Sequence, residues 1–239
     1  MGLSTVKSLK QRPKPKNDAT TSGDRTWSSS LWGIPWTTLL PRQLTKDIRV
    51  DYLRHSEAVP VMQKLFPEVF EGNVGTNNAR FFDGTNPEMK QKYYELAGDY
   101  FVFRDCSKGK SERVVGMVAC TFQDWATYNM RNVSVHPDYQ QLGIYHEFYL
   151  LLCEILTEHG VSRIEGDIAP TNLHHMAVLS KMGYIPTAMS VSERWGALVH
   201  VTKYLQEEEE DRFADLFSST SATNKSANRN FRKKTRAAS

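Results

Sequence analysis

The chain has 239 residues, with 30 Lys and Arg, 27 Asp and Glu, a formal charge of +3 and three cysteines, enough for one domain with a sizeable core plus tails. The charge is unevenly divided: residues 1–30 carry +4 and residues 218–239 carry +6, which leaves −7 for residues 31–217. An acidic body between basic ends excludes a protein built round a basic nucleic-acid groove, no run approaches the ~20 apolar residues that span a bilayer, and Cys106, Cys120 and Cys153 have no metal-type spacing.

Residues 1–30 are rich in Lys, Ser, Thr and Pro, so they are expected to be disordered, as are residues 218–239. The basic ends can touch nucleic acid or acidic lipid weakly through counterion release, or serve only as solubilising tails. The N-terminus lacks an apolar signal core. Gly2 does not open a myristoylation site, because position 6 is Val6 and not Ser or Thr. Cys120 and Cys153 lie in apolar runs as core thiols, which fits a reduced, cytoplasmic compartment.

The folded region is expected over residues 31–206, beginning with an arm at 31–47 whose segment LWGIPWTTLL is apolar enough to dock on the body. Residues 48–53 alternate apolar and polar as a half-buried strand does. Ser56 caps a helix that runs to about Phe66, with Glu57 in its first turn. Residues 67–86 are turn-rich, and a second helix follows at 87–96. Strands at 99–106, 113–122 and 127–135 make an antiparallel meander with a Gly-containing turn at 107–110. After a central helix comes a strand at 163–169, so strand-helix-strand predicts a parallel, right-handed crossover. A helix over 172–182 and a last strand at 197–205 complete a mixed α/β sheet with helices on both faces. The acidic run 207–211 reads as a solvated helix end that leads into the C-terminal tail.

The chain is organised around residues 133–156, VSVHPDYQQLGIYHEFYLLLCEIL. Val135 closes a strand, and Pro137 breaks it. Gln140, Gln141, Leu142 and Gly143 then lead into apolar positions 144, 148, 151, 152 and 155, one face of a helix that Gly160 ends. Such a strand-turn-helix junction points free backbone N–H groups and the positive end of a helix dipole at one spot, where an anion such as a pyrophosphate can sit.

Residues 135–143 resemble the acyl-CoA signature V-x-P-x-x-Q/R-x-x-G-x-G/A of the GNAT superfamily of N-acetyltransferases, with Tyr145 standing where that family has Gly or Ala. The segment 172–184 resembles its second signature, N-x-x-A-x-x-x-Y-x-K-x-G-F, through Asn172, Lys181 and Gly183, with Tyr184 in place of Phe. The chain is thus similar to a divergent member over about residues 49–205. The resemblance implies the GNAT-like acyl-CoA N-acyltransferase fold, acetyl-CoA as co-substrate, and the two helices after the first strand as the acceptor wall; no His/Cys/Asp cluster has metal spacing, so no metal is expected. The backbone at Val133 and Val135 would bond the pantetheine arm, the amides of Gln141, Leu142, Gly143, Ile144 and Tyr145 would face the pyrophosphate, and Gln140 would brace the turn. Asn172 would bond the pantetheine or simply cap its helix.

The resemblance also has gaps. The family's general-acid Tyr aligns with Leu179, which has no proton to give, and its Ala aligns with His175. Asn129 occupies the position where some members carry a carboxylate base. Replacement groups are Glu165 and Asp167, which share one face of their strand, and His174 and His175, of which at most one faces the cleft. Each also reads as a solvated surface group. The expected activity is acetyl transfer to an amine by direct attack. The alternative is a binding or structural protein that kept the fold and lost the chemistry, and a third reading modifies nucleic acid held by the basic ends. Sequence names neither the acceptor amine nor the oligomeric state.

Overall fold

The computed structural model describes residues 33–69, 87–107, 112–192 and 196–218. Among these, the strands are β1 (Arg42–Gln43), β2 (Ile48–Leu53), β3 (Gly98–Asp105), β4 (Arg113–Phe122), β5 (Thr127–Val135), β6 (Arg163–Ile168), β7 (Ile185–Ser192) and β8 (Gly196–Tyr204). They form one mixed sheet in the order β1-β2-β3-β4-β5-β6-β8-β7. The helices are α1 (Trp36–Leu39), α2 (His55–Val69), α3 (Pro87–Ala97), α4 (Ile144–Glu158), α5 (Leu173–Lys181) and α6 (Glu207–Ser218). The expected disordered ends, and the turns at 70–86 and 108–111, lie outside the described residues.

The sheet buries apolar side chains on both faces, because successive residues of a strand point to opposite sides. In β3, Phe101 and Phe103 point into a core shared with Ile144, Phe148 and Leu152 of α4 and with Leu179 of α5. The Phe148 ring meets both phenylalanines at centroid distances of 5.1 and 5.2 Å. Tyr100, the residue before Phe101, points the other way and joins Met117 and Ala119 against Ala58 and Leu65 of α2. Helices α4 and α5 therefore cover one face and α2 the other, with α3 beside α2 through Tyr94, whose ring stacks on His55 at 5.9 Å. The arm closes the α4 side: Ile34, Trp36 and Leu40 are buried, and Trp36 sits edge-on to Phe101 at 4.9 Å.

Two local features depart from the sequence reading. Helix α2 starts at His55 and is capped by Arg54, not Ser56: the Arg54 N–H donates to Glu57 Oε2 at 2.9 Å, and Ala58 N–H returns to the Arg54 carbonyl. His55 is drawn into the first turn because its ring is buried and its Nδ1 pairs with the Tyr100 hydroxyl at 2.8 Å. Strand β7 was not expected, since Pro186 interrupts its pattern. It is tolerated because β7 is the sheet edge, and the register with β8 shifts between Pro186 and Ala188. No described helix is long and apolar enough to cross a membrane.

Candidate acyl-CoA site

The turn between β5 and α4 presents its amides outward. Gln141 and Gly143 have φ of 63° and 77°. Left-handed residues alternating with right-handed ones bring successive N–H groups to one side. Among the described backbone hydrogen bonds none uses the N–H groups of residues 141 to 146, and the first inward bond is Glu147 N–H to the Gly143 carbonyl. A Cβ built on Gly143 would meet nothing within 4 Å, so the turn is open on that side of Gly143. Gln141 is the one non-glycine residue of positive φ among the described residues, a strained conformation of roughly 1–2 kcal/mol.

Side chains hold this turn in place. Gln140 Nε2 donates to the Val135 carbonyl at 3.0 Å and so ties the turn to the end of β5. His136 Nδ1 accepts from Asp138 N–H at 3.2 Å. The Tyr139 hydroxyl donates to Asp105 Oδ2 at 2.6 Å, and Oδ1 of the same carboxylate accepts from the Ser107 N–H and hydroxyl. Tyr145 does not obstruct the amides. Its ring packs inward against Tyr149 at 6.3 Å and stacks on His175 at 5.9 Å, between α4 and α5.

Beside the turn the sheet opens. Strand β5 pairs with β6 only from Thr127↔Arg163 to Asn129↔Glu165. Beyond that point the two strands diverge, with Gly166 still close enough that a Cβ would lie 3.4 Å from the Met130 carbonyl. His136 N–H donates to Val115 of β4, so the backbone groups of His136 and, two residues earlier, Ser134 point toward β4. The alternation of an antiparallel pair then turns Val133 and Val135 toward the gap. Their N–H and C=O groups, apart from the Val135 carbonyl that Gln140 takes, line a cleft that no described strand fills.

The other residues named from sequence are spread over both faces. Ile164 and Ile168 of β6 belong to the core under α4, so Glu165 and Asp167 project to the α2 side. Glu165 accepts from Arg163 Nε at 2.9 Å, at the closed end of the cleft, and Arg163 also reaches Asp124 at 3.3 Å. Asp167 lies further along and meets His200 of β8 through Oδ1 and Nδ1, the two being register partners. His200 was not singled out from sequence; only the β6–β8 pairing brings it to Asp167.

His174 is exposed, whereas His175 is half-buried under Tyr145 on the α4 side, so the two histidines and the two carboxylates are not brought together. Burial, with His174 beside it, holds the His175 imidazole below its ordinary pKa. Asn172 caps α5, its Oδ1 accepting from His175 N–H at 3.2 Å, which leaves its NH₂ group for a ligand. Leu179 is buried in the core, and Tyr184 there donates to Met130 Sδ at 3.5 Å.

Sequence reasoning also missed a cavity of about 50 Å³ on the α2 side, walled by His55, Phe66, Tyr94, Tyr100 and Arg131. A bulge in β5 makes it: Ala119 pairs with Asn132 but Cys120 with Met130, which leaves Arg131 extra. Arg131 and Asn132 both line the cavity, as the two residues of a bulge can when their side chains share a face. The Arg131 guanidinium carbon lies 5.1 Å from the Tyr94 ring centre.

A helix N-terminus whose six amides at residues 141–146 take no described backbone partner, set beside a parallel pair that splits open, fits an acyl-CoA N-acyltransferase fold. The model of the Acetyltransferase (GNAT) family matches residues 66–184, and the chain belongs to that family. Solved structures are similar to this chain. Ribosomal-protein-S5-alanine acetyltransferase from Vibrio fischeri is 18% identical with a TM-score of 0.52, over 70% of this chain and 97% of that one. The ribosomal-protein-S18-alanine N-acetyltransferase from Escherichia coli is 12% identical with a TM-score of 0.49, over 66% and 94%. A putative acetyltransferase, yncA, from Salmonella typhimurium with its cofactor acetyl-CoA is 16% identical with a TM-score of 0.47, over 68% and 96%. At 18% identity the likeness to the first of these concerns the fold alone. No curated protein matches the chain in sequence.

Proposed function

We propose that this protein transfers an acetyl group from acetyl-CoA to an amine by direct attack. The observation that carries the reading is the open row of amides at residues 141–146, next to the unpaired backbone of Val133 and Val135. The amides of Gln141, Leu142, Gly143, Ile144 and Tyr145 would hold the pyrophosphate, Gln140 keeps their turn in shape, and Val133, Val135 and the Asn172 NH₂ group would bond the pantetheine. The amine nitrogen attacks the thioester carbonyl, the carbon–sulfur bond breaks, and the thiolate leaves. A strand N–H at the cleft stabilises the oxyanion.

The attacking nitrogen must also lose a proton. Of the four groups that sequence puts forward, Asp167 is the one we favour, as the partner of His200: both stand on the α2 face of the sheet beyond the point of divergence, the face that carries the cavity. His200 would take the proton, with Asp167 orienting its ring. Glu165, already paired with Arg163, and His174 and His175, on α5, are the comparators.

The test is thermal unfolding with acetyl-CoA, longer acyl-CoAs and free CoA, followed by CoA release across amines. Acetyl-CoA at a hundred times its dissociation constant should add about 2.7 kcal/mol of stability. A chain that acetyl-CoA does not stabilise is not an acetyltransferase.

A further inference from the structure

At its narrow end the cleft between β5 and β6 meets a buried hydroxyl. The last paired residues are Asn129 and Glu165, so the gap closes at Met130 and Gly166. From Val135 to Met130 the strand rises on the order of 15 Å, about the length of an extended pantetheine arm. A pyrophosphate at residues 141–146 then brings the sulfur of CoA close to Met130. Gly166 lies between Ile164 and Ile168, which face α4, so β6 offers no side chain at this point of that face. A Cβ there would lie 3.4 Å from the Met130 carbonyl.

The end of α5 delivers Tyr184 to the same place. Gly183, with φ of 83°, donates its N–H to the Ser180 carbonyl at 3.1 Å, and the Tyr184 N–H bonds the Leu179 carbonyl at 3.0 Å. This pair of bonds turns the chain back under the helix, and Tyr184 and Leu179 are buried in one core. The Tyr184 ring packs on Tyr149 at 5.6 Å, and its hydroxyl donates to Met130 Sδ at 3.5 Å. A thioether is a weak acceptor, so a stronger one can take that hydrogen bond over. The Tyr149 hydroxyl is buried too, and Tyr184 and Cys153 lie beside it without closing a hydrogen bond to it among the described residues. Two buried phenols, one weakly bonded and one unbonded, leave donors for a ligand atom.

Resting on the acyltransferase reading, we propose that Tyr184 protonates the CoA sulfur as the thioester breaks. The amine nitrogen bonds the carbonyl carbon, the carbon–sulfur electron pair stays on sulfur, and the Tyr184 O–H proton passes to it. CoA departs as the thiol, and the proton lost by the amine leaves through the base. The phenolate accepts from the Tyr149 hydroxyl and regains a proton from water once CoA has gone. Burial holds the Tyr184 hydroxyl well above its ordinary pKa, so it carries its proton whenever the amine is able to attack. The same burial raises thiols, as it does at Cys120 and Cys153, so a thiolate formed here is a strong enough base to take the proton. Leu179 is left to packing.

The test compares the full-length parent with Tyr184→Phe, which keeps the ring and removes the hydroxyl. Calorimetry at pH 9 gives the affinities of CoA and of desulfo-CoA, which lacks the sulfur. CoA release from acetyl-CoA with hydroxylamine, alkylamines and peptide amino termini gives kcat and KM. In the parent, CoA should bind at least about fivefold more tightly than desulfo-CoA, and Tyr184→Phe should bring that ratio below about two. The variant should keep its KM for acetyl-CoA within about threefold and lose at least about tenfold in kcat.

A ratio that Tyr184→Phe leaves unchanged puts the hydroxyl away from the sulfur and overturns the proposal. So does a smaller loss of kcat. In both cases acetyl-CoA still stabilises the protein, and the acyltransferase reading stands. If acetyl-CoA does not stabilise the parent, that reading fails and the proposal falls with it. If acetyl-CoA binds and no amine is turned over, the ratio alone decides. Should Tyr184→Phe not fold, 3,5-difluorotyrosine at position 184 replaces it. Its fluorines make the phenol more acidic, so kcat should fall at a lower alkaline pH than in the parent, and an unchanged profile overturns the proposal.

Discussion

The Tyr139 hydroxyl and the Asp105 carboxylate lie 2.6 Å apart and tie the turn before α4 to the end of β3. Asp105 is buried, so its two oxygens depend on Tyr139 and on the Ser107 cap. Tyr139→Phe removes the donor to a buried carboxylate, which costs about 1–3 kcal/mol. The turn also loses its anchor, so acetyl-CoA should stabilise the variant less than the parent. Denaturant unfolding with and without acetyl-CoA measures both effects. A variant destabilised alone, with ligand stabilisation unchanged, would show that the tether serves the fold and not the site.

Gly143 separates charge from backbone strain. Its φ of 77° costs a substituted residue roughly 1–2 kcal/mol, least for Asn and Asp, and there is open space for the new side chain. Gly143→Asp and Gly143→Asn should therefore fold with similar stability. Only the aspartate puts a negative charge among amides meant for a pyrophosphate, so it should abolish acetyl-CoA stabilisation while the asparagine retains part of it. Equal ligand response from the two variants would move the phosphate site elsewhere.

These contrasts mark what could be read from the chain. The meander, the crossover and the turn were legible because each follows a local rule: period-two alternation, a breaker at Pro137, a helix face from Ile144 to Ile155. Strand β7 was hidden by Pro186, whose meaning depends on lying at a sheet edge, a property of the whole sheet. The cavity was hidden for the same reason, since His55 and Arg131 are 76 positions apart and meet only when α2 packs over the bulge in β5. Glu165 and Asp167 looked alike because they share a face, and only their partners, Arg163 and His200, set them apart.

The arm is part of the core. Trp36 is buried edge-on to Phe101 and near Tyr52. Trp36→Ala should cost about 3–5 kcal/mol by leaving a cavity between the arm and β3. Denaturant unfolding measures this, and a loss below about 1 kcal/mol would mean that the arm only rests on the body.

Protonation of His175 should destabilise the fold. Burial and His174 lower its pKa in the folded chain, so the unfolded chain binds that proton more tightly. Stability is then highest above the ordinary His value, about 6.5, and falls as pH drops from there toward the folded value. His175→Gln removes this contribution, so the variant should lose less stability than the parent between pH 7.5 and pH 5. Parallel losses would show that the ring under Tyr145 is free to carry charge.

The final experiment decides between an enzyme and a binding protein that kept the fold. If amine attack is assisted by His200, held by Asp167, then His200→Gln should lower kcat by ~10²–10⁴-fold with acetyl-CoA stabilisation intact. Asp167→Asn should lower it less, because the carboxylate works through the ring it orients, and it should change the pH profile of kcat/KM where a purely structural loss would only scale it. Glu165→Gln, His174→Ala and His175→Ala should leave kcat within a few-fold of the parent, since Glu165 is committed to Arg163 and the histidines stand on α5, across the sheet from the cavity. The readout is CoA release at several pH values with the best amine of the panel. Full activity in both His200→Gln and Asp167→Asn would remove the pair from the mechanism and move the base to the α2–α3 wall. A parent that acetyl-CoA stabilises, with no turnover on any amine while the amide row still responds to Gly143→Asp, would favour a protein that binds acetyl-CoA without spending it.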